Sequence, residues 1–489
     1  MDMVFNDRDL NHWLGEYNNI IGWGTGGAAS ATLERVKINI KYFIDNNQQK
    51  IGTTFSNREV KSSNVLKEED TKRTLIIIFS CYYTEIKDQI RELGNFDIVN
   101  HEFILLMQNE IKEIVDIPSK DTVFTLSSNN YTRYLGGTEK FIIEQVQYIN
   151  NIGIDTYHIY PFRIDIINSE NLILGIIVKG DEKFYIALHN LLNILEKRKA
   201  FIKEIIIHNL IGFNKQIISS IIDASKRIKT IYYVHDYSCI CESYNLMYND
   251  KKFCNAPYNE FEICKTCCHY LEMKKRVEFH KNLFKQKNVQ VITPSNYTQD
   301  IITTVFNNIN VITIPHQEYS ICNNKKQINH VVKIGYIGYK SYVKGWDIFK
   351  SIVSKYSDRY EFYCFGLSDE KLENVTYVDV SFQTEGQEAM VNKMNDYKID
   401  IALLWSIWPE TYSYTYYESY KAGALVITNA ISGNIAAQVA QNKNGVIFNT
   451  DNELYEFLND TQKVQCELKK NKKKIDKLEV NQDILTLLL

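Results

Sequence analysis

A mixed α/β fold made of three parallel-sheet blocks is what this sequence predicts, and three observations predict it. Short Ile/Val/Tyr-rich runs alternate with polar turns and helix-length stretches, the rhythm of strands joined by helical crossovers. The chain has 489 residues, too many for a single core when domains run to roughly 100–200 residues. Its 45% hydrophobic and 24% charged residues are the balance of an ordinary globular protein.

The first block, residues 1–116, reads as a small Rossmann-like accessory domain. A strand over Asn19–Gly24 runs into the turn GWGTGG (Gly22 to Gly27) and a helix through Ala28–Val36. A second strand, Lys41–Ile44, ends at Asp45, and a third, Leu75–Phe79, precedes a helix from Thr84. The second block, 117–325, opens on strand Thr122–Leu126 and turns at Gly136 and Gly137. Its later strands are Ile205–Ile207, Thr230–Val234, Val289–Ile292 and Val311–Ile314, with a cysteine-rich insertion at 239–268. The third block, 326–450, carries strands Lys333–Ile337, Glu361–Phe365, Asp400–Leu404, Leu425–Thr428 and Gly445–Phe448. The tail, 451–489, has helical spacing, and its KKNKKK run (Lys469 to Lys474) reads as a solvated helix face.

Composition removes several function classes. A formal net charge of −3 gives no reason to expect nucleic acid as a partner. The opening residues MDMVFNDRDLNHW lack the basic start and apolar centre of a leader peptide. No transmembrane segment is expected, since no apolar stretch has the roughly 18 residues a membrane span needs. Ten cysteines in such a chain point to a reducing compartment, so a cytoplasmic location is expected. An oligomer or a peripheral membrane contact is compatible with all of this.

The densest signal is WPETYSYTYYESYKAGALVITNAISGNIAAQV in the third block. Glu410 and Glu418, with seven residues between them, stand directly after the strand Ile401–Leu404. With a helix starting near Ser413, Glu418 lies on its second turn and Glu410 in the preceding loop. Both carboxylates then face the crevice at the carboxyl end of the sheet, where doubly wound folds bind ligands. The amides of Thr411, Tyr412 and Ser413 would lie at the helix N-terminus, where unpaired N–H groups suit a diphosphate.

This stretch resembles the Glu-x7-Glu segment of family 4 retaining glycosyltransferases, through the Ala422-Gly423 turn, the strand LVITNA, the Ser432-Gly433 turn and Asn444-Gly445-Val446. The resemblance implies a GT-B fold, two Rossmann-like domains facing a crevice, here preceded by the smaller first block. It also implies transfer from a nucleotide diphosphate sugar with retention of anomeric configuration. Glu418 would bind the nucleotide ribose and Glu410 the transferred sugar. KIGYIGYKSYVKGWDIF fits the same family's glycine turn and Lys-Gly element, so Lys344 would neutralise a donor phosphate. The family's usual arginine after the glycine at Gly338 is Tyr339 here, which leaves Lys340 as a substitute phosphate contact.

In the second block, Gly136 and Gly137 resemble the family's glycine turn at the donor. His235, after the strand IYYV, resembles a histidine that hydrogen-bonds the donor sugar. Ser295 in ITPSNYT reads either as a crevice residue or as a plain helix cap. Downstream of His235, Cys241, Cys254, Cys264 and Cys267 can supply four sulfurs, which leaves two readings: a tetrahedral structural zinc, or free thiols. No catalytic metal is expected. In the first block, Gly22, Gly24, Gly26 and Asp45 match the context of a dinucleotide-type fingerprint but not its spacing, so a nucleotide site and a structural module both stay open. No Tyr-x3-Lys pair follows, which argues against a dehydrogenase.

The expected activity is therefore glycosyl transfer to a hydroxyl of a glycan, lipid-linked or protein acceptor. A non-catalytic nucleotide-sugar-binding subunit and a sugar-nucleotide epimerase on the same fold are the alternatives.

Overall fold

The computed structural model describes residues 10–80, 83–108, 112–132, 136–162, 164–165, 173–255, 262–324, 326–366 and 371–486. The first nine residues, on which part of the no-leader expectation rests, lie outside that set. The chain forms two compact units. One comprises Met1–Arg133, Ile152–Lys203 and Ile211–Lys226, the other Tyr134–Asn151, Glu204–Leu210 and Arg227–Leu489.

In the first unit the leading sheet has seven strands. Their order is Thr54–Phe55, Arg58–Lys61, Phe43–Ile44, Asn19–Trp23, Thr74–Ile78, Asp97–Asn100 and Ile164–Asp165. The central strands are parallel and the two edge pairings antiparallel. Leu75, Ile76, Ile77 and Ile78 are all fully buried, as a continuous apolar run in a strand covered on both faces requires. Trp13, Ala29, Phe103 and Ile104 cover one face, and Tyr83, Ile86 and Ile90 the other. The same unit holds the strand series Glu182–Ala187, Ile173–Val178, Asp155–Pro161 and Thr122–Leu126, in which only the last pairing is parallel.

The second unit contains the parallel run Ile202–Ile207, Lys229–Tyr233, Val289–Thr293 and Val311–Thr313, the first of these strands straddling the unit boundary. It also contains a six-stranded sheet, all parallel, ordered Val375–Val378, Glu361–Phe365, Lys333–Ile337, Ile401–Leu403, Leu425–Asn429 and Gly445–Phe448. Strand order reverses between Lys333–Ile337 and Ile401–Leu403. The segments leaving the carboxyl ends of these two strands, Gly338–Lys344 and Leu404–Glu410, therefore border the crevice where such sheets bind ligands. Rossmann-like parallel sheets were the expected class, and they are what the structure has.

The tail departs from its expected form. Helices Asp451–Asn459 and Thr461–Lys470 are followed by a strand, Lys473–Val480, antiparallel to Gln317–Asn323, and then a short helix, Gln482–Thr486. The second half of the lysine run is thus strand, not helix. Ile475 and Leu478 are three apart, a helical spacing. A register shift between Tyr319 and Ile321 gives the tail strand one extra residue, which brings both side chains onto the covered face. Among the described residues no helix is long and apolar enough to cross a membrane.

Candidate functional site

All the residues of the main candidate site belong to the second unit. After strand Ile401–Leu403 the chain turns through Ser406 to Glu410, whose backbone forms a bridge with Gly433. Glu410 N–H donates to Ser432 O (3.3 Å), and Asn434 N–H to Glu410 O (2.9 Å). Gly433 has φ +65°, and a Cβ there would stand 2.6 Å from the Pro409 carbonyl carbon. The Ser432-Gly433 turn thus fixes where Glu410 sits. The Glu410 carboxylate is 3% exposed, ion-paired with Lys344 and accepts from Ser406 Oγ at 2.9 Å.

Lys344 ends a 3₁₀ turn, Tyr342–Lys344, after strand Lys333–Ile337. Its ammonium stands 5.6 Å from the centre of the Trp408 ring. Gly345 has φ +81°, and a Cβ on it would meet Trp405 O at 2.2 Å, so only glycine lets this turn lie against the Glu410 loop.

Ser413 caps the helix Tyr414–Lys421, its Oγ accepting from Tyr416 N–H. The backbone N–H groups of Thr411, Tyr412 and Ser413 find no acceptor among the described residues, which leaves three donors at a positive helix end. The side chain of Tyr412 points elsewhere: it stacks on Tyr417, with ring centres 4.8 Å apart, and donates to Gln317. Thr411 ties the segment down, donating through Oγ1 to His235 O (2.6 Å) and accepting from Ser295 Oγ (2.8 Å). Ser295 also caps its own helix through Thr298 N–H. Ser295 is thus a helix cap that also bonds the Thr411 backbone.

Glu418, 3% exposed, meets Lys140 Nζ at 3.3 Å. Burial raises its pKa, and the Lys140 ammonium offsets only part of that rise. Lys140 sits on the helix that starts at Gly137 and lies over the rings of Tyr414 (4.6 Å) and Phe382 (5.0 Å). One turn further along that helix is Glu144, whose pKa burial pushes up to about 7, with Lys140 lowering and Glu418 raising it. Gly136 N–H is capped by Glu139 (3.0 Å), half of a capping box. A Cβ on Gly137 would lie 3.3 Å from the Tyr414 ring, so the double-glycine turn does meet the Tyr414 helix. The buried Tyr414 hydroxyl and Trp408 Nε1 have no partner among the described residues, and such groups are rare without a ligand or water.

His235 is partly exposed, its Nε2 3.0 Å from His208 Nδ1. The rings of Phe141 and His316 stand 5.0 and 5.2 Å from it. Desolvation lowers its pKa, so the ring is a neutral hydrogen-bonding group and not a cation at pH 7.

Lys340 is not part of this assembly. Its ammonium lies over Tyr377 (4.5 Å) and Trp346 (5.4 Å), and the exposed side chain at the turn is Tyr339. These two rings set the direction of the Lys340 side chain.

The glycine turn of the first block meets Asp45, as expected, but Asp45 is already engaged. It accepts from Thr25 N–H (3.1 Å), Thr25 Oγ1, Asn47 N–H (2.9 Å) and Lys50 Nζ (3.2 Å). Burial acts to raise its pKa, and these bonds outweigh it and bring the pKa below the usual value. A Cβ on Gly22 would strike the Phe43 ring at 2.5 Å, and one on Gly24 (φ +103°) would stand 3.0 Å from Phe79 O. Gly26 faces open space at the start of helix Gly27–Arg35.

Cys241, Cys254, Cys264 and Cys267 line one cavity of about 10 Å³. Burial raises the thiols of Cys241 and Cys264, to about 12 and about 11, and neighbouring sulfurs add to the effect.

Sequence reasoning missed Lys140, Glu144, His208, His316, Ser406 and Trp408. Lys140 and Glu144 carried one signal, an i,i+4 charge pair directly after the double glycine. The partners of His208 and His316 are set by tertiary packing.

No protein-family model matches the chain, and no curated protein matches it. Several solved structures are similar to it at low identity. A sucrose-phosphate synthase from Thermosynechococcus elongatus is 11% identical, with a TM-score of 0.47, over 75% of this chain and 97% of that one. HepE of Anabaena, solved in complex with UDP-glucose, is 13% identical with a TM-score of 0.42, over 71% and 92%. WaaG, described as a glycosyltransferase involved in lipopolysaccharide biosynthesis, is 12% identical with a TM-score of 0.42, over 72% and 94%. The functional reading rests on this chain's own residues.

Proposed function

We propose that this chain is a retaining glycosyltransferase that moves a sugar from a nucleotide diphosphate sugar to an acceptor hydroxyl on a glycan, a lipid-linked saccharide or a protein. One observation carries the reading: two acid–base pairs, Lys344–Glu410 and Lys140–Glu418, flank the start of the helix Tyr414–Lys421, and the three amides leading into it, of Thr411, Tyr412 and Ser413, lack acceptors among the described residues. A diphosphate between Lys344 and those amides would meet positive charge on both sides, where negative charge develops as the sugar leaves. Glu418 then takes the ribose hydroxyls, Glu410 the sugar, and the neutral His235 a sugar hydroxyl. Lys140 positions Glu418. The leaving phosphate oxygen accepts the acceptor's proton as the new glycosidic bond forms on the face the phosphate vacates, so neither glutamate need become covalently attached.

The protein should be incubated with a panel of nucleotide sugars, following nucleotide release and the anomeric configuration of the product by NMR. Release of nucleotide with retention supports the proposal, and inversion or epimer formation sinks it. The exposed Tyr339, at the turn position after Gly338, favours a second reading, a non-catalytic nucleotide-sugar-binding subunit. Tight binding without turnover on any acceptor would select it.

A further inference from the structure

The insertion between Cys239 and Cys268 has little to hold it in shape. Among its described residues the regular structure is a hairpin of two-residue strands, Met247–Tyr248 and Lys252–Phe253, and a 3₁₀ turn, Glu262–Thr266. A two-stranded ribbon of that size is not stable by itself. The segment also carries backbone strain. Leu246, Asn249, Asp250 and Asn255 all have φ between 47° and 59°, the left-handed region that non-glycine residues enter at a cost.

Into this segment the fold brings four thiols from separate positions. Cys241, Cys254, Cys264 and Cys267 line a cavity of about 10 Å³ whose other walls include Ile240, Met247 and Met273. That is room for about one small sphere, and water would find few partners there. Two of the sulfurs already accept backbone N–H groups: Ser243 donates to Cys241 and Asn249 to Cys267 at 3.4 Å. Bonds of this kind spread the charge of a thiolate.

We propose that these four cysteines hold one structural zinc ion, each sulfur giving up its proton on binding, and that this ion braces the candidate donor site. The bracing follows from where the module is attached. Cys241 lies six residues after His235 on the same segment. At the hairpin turn, Lys251 O accepts from Tyr342 Oη at 2.7 Å, and Tyr342 opens the 3₁₀ turn that ends in Lys344. One ion thus fixes both the His235 segment and the Lys344 turn. A competing set adjoins it. Asp250, Cys268 and His269 are the only group among the described residues with three ligand atoms within 4.8 Å of one another. Asp250 and Cys268 are exposed, however, and the His269 ring is already spent on Asp250 at 2.9 Å. The four thiols, three of them buried and Cys267 half-buried, have only to draw together around an ion.

The zinc site stands whether or not the chain is a transferase; only its effect on the donor rests on that reading. Full-length protein, purified without chelator or polyhistidine tag, should contain about one zinc per chain, with four sulfurs at about 2.3 Å by X-ray absorption. Cys254→Ala and Cys264→Ala should each lower zinc content at least tenfold, while Cys268→Ala and His269→Ala keep it. If the cysteine variants do not fold, the wild-type chain can be stripped and titrated with cobalt, which should give the visible bands of a tetrahedral thiolate site. Metal-free protein, a metal other than zinc, or an ion lost only with Cys268 or His269 would overturn the assignment. Tyr342→Phe should keep the zinc and raise KM for the nucleotide sugar about threefold or more with kcat unchanged. An unchanged KM with zinc in place would overturn the bracing and leave the site.

Discussion

At the scale of single residues, the two glutamates carry different burdens. Glu418 is buried against one cation, Lys140, and has capacity to accept hydroxyl donors from a ribose. Glu418→Ala is expected to weaken binding of the cognate nucleoside diphosphate by about 1–3 kcal/mol, the range for losing a hydrogen bond to a charged group. Asp45→Ala should leave that affinity unchanged, because Asp45 serves Thr25, Asn47 and Lys50. Isothermal titration on both variants separates the two cases. Glu144 gives a pH signature. Burial raises its folded-state pKa to about 7, above the ordinary carboxyl value of 4.5. Between those values the folded chain holds a proton that the unfolded chain has released, so stability falls as pH rises through that window. Glu144→Gln should therefore raise the melting temperature at pH 8 and change it little at pH 4.5. Calorimetry at both pH values checks the sign, and equal effects would show that Glu144 is not the titrating group.

At the scale of elements, five of the six strands of the third block were legible almost to the residue, and the edge strand Val375–Val378 was missed. Lys333–Ile337, Glu361–Phe365 and Gly445–Phe448 form where apolar β-branched and aromatic runs meet turn residues. The helix cap at Ser413 was legible too, since Ser followed by a helix-length run is a local signal. The hairpin Ile173–Val178 and Glu182–Ala187 was not, because its antiparallel pairing breaks the repeating strand–helix rhythm. Lys340 shows the limit of motif reading: a lysine two residues after a glycine turn has two directions to take, and Tyr377 with Trp346 decides between them. The glycines beside the site make a sharper test. In Gly345→Ala the new methyl group has no room against Trp405 O and the φ is unfavourable. The substitution should cost more than about 1 kcal/mol of stability and weaken donor binding by moving Lys344. Chemical denaturation and titration together measure both. A fully stable variant with normal affinity would show that the turn is not constrained.

At the scale of the whole molecule, the tail strand Lys473–Val480 is structural and not an appendage. Ile475, 1% exposed, packs into the cluster that contains Tyr412, Tyr416 and Tyr417, directly behind the candidate site. Ile475→Ala is expected to cost about 2–5 kcal/mol, as for other buried isoleucines, read as an earlier midpoint in denaturant. An unchanged midpoint would show that the tail strand is not part of the folded core. The role of the tail was hidden in the sequence because its pairing partner is so distant, and nothing local to a lysine-rich run names it.

That distance has a consequence for how the protein is made. Ser320 and Lys477, joined across the Gln317–Asn323 and Lys473–Val480 strands, are 157 residues apart in the chain. At about 5–20 residues per second of synthesis, the first strand leaves the ribosome roughly 8–30 seconds before its partner. Throughout that interval its backbone edge is open to any other extended chain, including another nascent copy on the same message. The yield of active protein should then depend on how quickly the ribosome moves and on which chaperones attend it, even where the finished fold is stable.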